Sequence, residues 1–109
     1  MSKAAYWQRG ESLDYKNTTD AKIEANTIIS FGGHIGVAGT DILPGEVGSL
    51  HVTGVFEMPK TGTGAIEMGT DVYFDGNGIT DTKGEGATPA GYAAQAAAAA
   101  DTVILVRLG

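Results

Sequence analysis

A chain of 109 residues has room for one domain with one hydrophobic core, large enough to fold without staples. It has no cysteine, which excludes disulfides and Cys-based zinc sites. Thirteen carboxylates stand against seven Lys and Arg, a formal net charge of −6 with no basic stretch, and that argues against nucleic acid, whose phosphates need clustered cations. Seventeen glycines, four Tyr, three Phe and many Val, Ile and Thr describe strands joined by tight turns. No apolar run approaches membrane-spanning length. The opening MSKAAYWQRGE lacks the apolar stretch of a secretory signal.

In chain order, residues 1–12 read as an N-terminal arm and 13–109 as a β-rich domain. The arm holds the only tryptophan, Trp7, beside Tyr6 and Arg9. These three residue types dominate binding hot spots; the alternative is that Tyr6 and Trp7 fold back onto their own core. ESLDYK (11–16) alternates weakly, with Leu13 and Tyr15 on one face. NTIISFGGHIGVAG (26–39) gives two short apolar runs divided by Gly32 and Gly33, and DILPGEVG (41–48) carries a Pro-Gly turn signal. Ser49 to Met58 is the clearest strand: Leu50, Val52, Phe56 and Met58 share one face, and Ser49, His51, Thr53 and Glu57 the other. Gly54 interrupts it and predicts a bulge or bend.

DVYFDGNGITDT (71–82) reads as a strand, a turn and a short return strand, since Asp-Gly and Asn-Gly supply the positive φ of tight hairpins. In the last strand, TVILVRL (102–108), five of seven residues are Val, Ile or Leu. Apolar on both faces, it is either central in a closed barrel or covered by another subunit. AAQAAAAAD (93–101) has helix propensity but little length. Residues 36–54 align with 91–109, Gly36 on Gly91, Ala38 on Ala93, Leu50 on Leu105 and Gly54 on Gly109. This repeat makes the Ala run equivalent to the AGTDILPGE loop, so a loop with at most a helical turn or two is expected.

GVFEMPKT (54–61) comes close to a phosphate-binding loop, with Gly54, Lys60 and Thr61 in register. Pro59 stands where the second Gly belongs and has no N–H to offer. Glu57 adds negative charge, and TGTGA is a poor helix start. A strand ended by Pro59 explains the stretch better. Asp75, Asn77 and Asp81 are spaced like calcium ligands, but the loop pattern also needs Gly and Glu where Thr80 and Gly86 stand; a turn explains them. His34 and His51 have no partners at diagnostic spacing. Ser12, Ser30 and Ser49 lack a nucleophile-elbow setting.

GVA (36–38), PGEVGSLHVTGVFEMPK (44–60), GTDVYFD (69–75) and VILVRL (103–108) occur in that order. Together they resemble a family of small tailed-phage and prophage proteins, the capsid cement or head decoration proteins. The likeness covers residues 31–109, with GVFEMPK and GTDVYFD as its signature. It implies a compact β-rich fold, a trimer, and a seat on the outside of the capsid where capsomers meet after the shell expands. It brings no catalytic residues. Some members carry a recombinase label, which the missing phosphate loop argues against.

The expectation is an all-β, mainly antiparallel single domain, barrel-like or sandwich-like, with at most one short Ala-rich helical turn. Its expected role is a non-enzymatic cement protein on the virion's outer surface, with the major capsid protein and its own trimer as partners, and no nucleic acid, membrane, cofactor or metal. Tyr6, Trp7 and Arg9 are the expected capsid contacts. Phe56, Val103 and Leu105 are the expected trimer contacts. The alternatives are a small β-barrel module that binds a ligand or glycan, and a hydrolase built from His51, a Ser and an Asp.

Overall fold

Glycine and Pro-Gly turns cut the chain into short extended runs, and the computed structural model, which describes residues 2–109, pairs those runs into two antiparallel sheets. The first sheet holds β1 (Ser12–Lys16), β2 (Ile28–Phe31), β3 (His34–Ala38) and β4 (Val47–His51), in the order β1-β4-β3-β2. The second holds β5 (Gly54–Pro59), β6 (Asp71–Phe74), β7 (Ile79–Thr80), β8 (Thr88–Ala93) and β9 (Val103–Leu108), in the order β5-β9-β8-β6-β7. There is no helix among the described residues. The fold is all-β and sandwich-like.

Each sheet comes from one continuous half of the chain, and the two halves have the same plan. The first strand of each lies at an edge beside the last, so β1, β4, β3 and β2 correspond to β5, β9, β8 and β6. Ile23 bridges Ile42 in the first half, and Ile66 bridges Ala97 in the second. The left-handed backbone before β2 is at Asn26 (φ 73°), and the one before β6 is at Gly69 (φ 89°). Asn and Gly are the residues that tolerate this conformation. The repeat read from the sequence is therefore structural as far as Ala38 and Ala93. Beyond that it slips by one residue: Leu50 pairs with Ala38, and the residue paired with Ala93 is Val106, not Leu105. The Ala run is the expected loop, with Ala97 in its bridge.

The long strand expected from Ser49 to Met58 is two strands in two sheets. β4 ends at His51, Val52 and Thr53 cross over, and β5 starts at Gly54 with φ 123°. Alternation of side chains survives the crossover because it records which face is buried, not which strand is the neighbour.

The main core gathers Ile35 and Val37 of the first sheet with Met58, Val72, Ile79, Ala90, Ala93, Ile104, Val106 and Leu108 of the second. Ile42 and Leu50 are equally buried outside that cluster. Gly48 makes room there, since a Cβ on it would lie 2.5 Å from the Ile42 side chain.

Candidate functional site

The arm leaves the first sheet at Ser12, and its described residues form no strand of their own. Its root is pinned twice. The Val52 N–H donates to the Glu11 carbonyl at 3.0 Å. Ser12 Oγ lies 3.0 Å from His51 Nδ1. Beyond the root, among the described residues, only the Gln8 side chain reaches back, to the Ser12 carbonyl at 3.3 Å. Tyr6 is 82% exposed, Trp7 90%, and Arg9 is exposed too. The aromatic pair is not folded onto its own core. Burying a large apolar side chain gains about 1.5–3 kcal/mol, so the arm displays unspent binding energy.

Phe56, Val103 and Leu105 are divided by the sheet. Residues directly opposed across antiparallel strands point to the same side. Phe56 opposes Val106 and packs, half-buried, against the core, whereas Val103 opposes Pro59 and Leu105 opposes Glu57 on the other face. Val103 is 46% exposed.

A groove of about 520 Å³ opens between the halves, lined by Leu13, Phe31, Ile35, Val52, Pro89 and Leu108 among others. Its size is in the range of small-ligand pockets, but such pockets also converge several polar groups. Here His34 brings the only polar side chain.

The residues weighed for chemistry have structural partners. Asp75 Oδ1 accepts from the N–H groups of Asn77 and Gly78, both at 2.8 Å, and Oδ2 accepts from Thr61 Oγ1 at 2.7 Å. The Thr61 hydroxyl, then the Asn77 N–H, hold this carboxyl below the usual carboxylate range. It fastens a turn, and among the described residues no group of three or more His, Asp or Glu is arranged to hold a metal. Ser12 and His51 do meet, as a hydroxyl and a base must, but no carboxylate bonds the ring among the described residues; His51 stacks on Phe56 at 6.2 Å instead. Ser49 opposes Asp14 across the ladder, and Ser30 Oγ lies 3.4 Å from Thr88 Oγ1.

Sequence reasoning missed the two buried polar side chains, Asn17 and Lys60. Each follows the edge strand that opens its half. Asn17 donates to the Ala21 and Ile42 carbonyls at 2.8 and 2.9 Å and accepts from the N–H and hydroxyl of Thr19. Lys60 donates to the carbonyls of Gly62 and Ala99. The repeat read from the sequence, 36–54 on 91–109, does not reach either residue, and only the strand registers match their places. The lysine of the near-miss phosphate loop is thus a clamp on two loops of its own chain.

What this surface offers is area, edges and a free arm, the equipment of an assembly protein. The profile of the phage cement protein family matches residues 7–108, and the chain belongs to that family. Its role is that of a capsid cement or decoration protein, located at the phage capsid. Neither a curated protein nor a solved structure matches the chain.

Proposed function

We propose that this protein grips the outside of the expanded head as a homotrimer, each arm holding the major capsid protein through Tyr6, Trp7 and Arg9, so that the shell resists the pressure of its DNA. The observation that carries this reading is the arm: a Trp 90% exposed and a Tyr 82% exposed on a segment with no strand partner, in a member of the cement family. An extended segment of this kind adds a strand to a sheet edge and sets its aromatic side chains in adjoining pockets. In the trimer, Val103 and Leu105 meet a neighbour while Phe56 braces their strand from beneath. Linking three grips raises the effective concentration of each, a gain of roughly 10² to 10⁴ over a single contact. Geometry does the work, and no bond is made or broken. The acidic surface keeps the protein off DNA and gives it no hold on a membrane.

Cryo-electron microscopy of heads with and without the protein tests the placement: density on the outer shell supports it, and bare shells under saturating protein refute it. Trp7→Ala should weaken head binding by about 30-fold or more, the loss of one hot spot, with the melting temperature of the free protein unchanged. Decorated heads should also survive heating that bursts bare ones; equal rupture would remove the stabilising role.

A further inference from the structure

The turn between β6 and β7 holds a dipeptide found nowhere else in the chain. Asn77 precedes Gly78, whereas Asn17 and Asn26, the other two asparagines, each precede Thr. A backbone nitrogen can attack the carboxamide of the asparagine before it, and glycine has no Cβ to hinder that approach. The fold cannot avoid this glycine. Gly78 is buried, and a Cβ on it would lie 2.8 Å from the Pro59 carbonyl oxygen and 2.7 Å from Thr61 Cγ2. Asn77 is exposed, and among the described residues no hydrogen bond restrains its side chain. The electrophile, Asn77 Cγ, can therefore swing toward its neighbour. The nucleophile is held: the Gly78 N–H donates to Asp75 Oδ1 at 2.8 Å, and the Gly78 carbonyl accepts from the Asp75 N–H at 2.9 Å. Thr61 Oγ1 fixes the other carboxylate oxygen at 2.7 Å.

We propose that Asn77 is this chain's site of spontaneous deamidation and that the Asp75 carboxylate holds the reaction in check. In the first step Gly78 N gives its proton to solvent and bonds to Asn77 Cγ. The Cγ–Nδ2 bond breaks, and the side-chain nitrogen takes a proton and leaves as ammonia. Water then opens the resulting five-membered ring at Cγ, which gives aspartate, or at the main-chain carbonyl carbon, which gives isoaspartate with one more methylene in the backbone. Asp75 opposes the first step twice. Gly78 must surrender a hydrogen bond to a charged acceptor, one of the stronger kinds, and the nitrogen would become negative beside a carboxylate. Asp75 does not take the proton itself, because a carboxyl held below its usual range is a weaker base still. An isoaspartate would lengthen the turn that sets Phe74 opposite Ile79. Ile79 is fully buried and its carbonyl accepts from the Thr61 N–H, so conversion would loosen β7 from the core. A subunit on a phage capsid is not renewed once the particle leaves the cell, and such damage accumulates there.

The free protein suffices for the test, whose outcome does not depend on placement on the head. The protein is kept warm at mildly alkaline pH, and peptide mass spectrometry follows aspartate and isoaspartate at each asparagine. Conversion in the wild type should be confined to Asn77. Asp75→Ala should speed it by about tenfold or more, the factor set by one hydrogen bond to a charged group, with Asn17 and Asn26 unaffected. Thr61→Val leaves the Gly78 bond in place and should speed it less. Circular dichroism checks that each variant folds. In urea, which undoes the turn, wild type and Asp75→Ala should convert at one rate. Aged chains carrying isoaspartate should melt below fresh ones. Equal or slower conversion in folded Asp75→Ala, a rise shared by all three asparagines, or a difference that persists in urea would each overturn the proposal.

Discussion

The first and second halves of this molecule solve one folding problem with different side chains. Both set a polar residue after the edge strand that opens the half, and both bury it, but one uses Asn17 and the other Lys60. Asn17 is short and satisfies four hydrogen bonds within its own turn and the neighbouring loop. Lys60 donates two bonds from the end of a long stem that packs as hydrocarbon. The need common to both is to tie loose loop carbonyls to the sheet, since buried carbonyls without partners are costly. The difference shows that this need constrains the position and the donor, not the residue. The outer faces differ in the same way: β5 and β9 carry Val55, Leu105 and Val103 where β1 and β4 carry Ser12, Ser49 and Val47.

The sharpest way to break the correspondence is at its matched glycines. Gly91 has φ 118°, and a Cβ on it would stand 2.1 Å from the Arg107 carbonyl oxygen. Gly91→Ala should cost about 4 kcal/mol or more in urea unfolding, because a backbone atom blocks it and the conformation itself disfavours a side chain. Gly36→Ala meets the flexible Leu50 side chain at 2.6 Å, without positive φ, and should cost about 1–3 kcal/mol. Next in size is the buried polar pair. Asn17→Ala should lose about 2–4 kcal/mol and Lys60→Met about 1 kcal/mol in the same measurement, since each loses its own set of bonds and only Met keeps a filling stem. Equal losses would mean that the two clamps are interchangeable in energy as well as in place.

The smallest effect concerns the insertion that distinguishes the halves, the β6–β8 connection carrying β7. Asp75 is held below the ordinary carboxylate range by Thr61 and by the Asn77 and Gly78 amides. A carboxyl whose folded value is depressed adds stability that is complete above its unfolded value and is lost as pH falls through the folded one. Asp75→Asn should therefore lower the melting temperature slightly at pH 6, and the gap from wild type should close as pH falls through the acid range. A gap independent of pH would show that the turn does not depend on the charge.

Much of this was legible in the sequence. The β6–β7 hairpin announces itself through Asp75-Gly76 and Asn77-Gly78, whose turn chemistry is local. The loop nature of residues 93–101 runs against alanine's helix propensity, yet comparison with 38–46 reveals it, because the bridge at Ala97 answers the bridge at Ile42. What stayed hidden depends on partners. Alternation from Ser49 to Met58 is real on both sides of the crossover, and nothing in a period of two tells a strand that it has changed sheets. Phe56 alternates in phase with Leu50 and Met58, and its inward side shows only once its opposition to Val106 is known. The burial of Lys60 was illegible for the opposite reason: a charged residue beside exposed loop composition gives no hint that its ammonium meets two backbone carbonyls. The Ser12–His51 contact joins residues far apart in sequence, and only the β1–β4 register sets them side by side.

The crossover at Val52 and Thr53 also dictates an order of events during synthesis. Every strand of the first sheet precedes it and every strand of the second follows it. The leading half can pair its ladder before the trailing half emerges, with the local β2–β3 hairpin closing faster than the distant β1–β4 pair. Ile28, Ile35 and Val37 then wait uncovered until the trailing half emerges to receive them. The nascent chain is at its most vulnerable to clumping in that interval, before β5 to β9 have emerged.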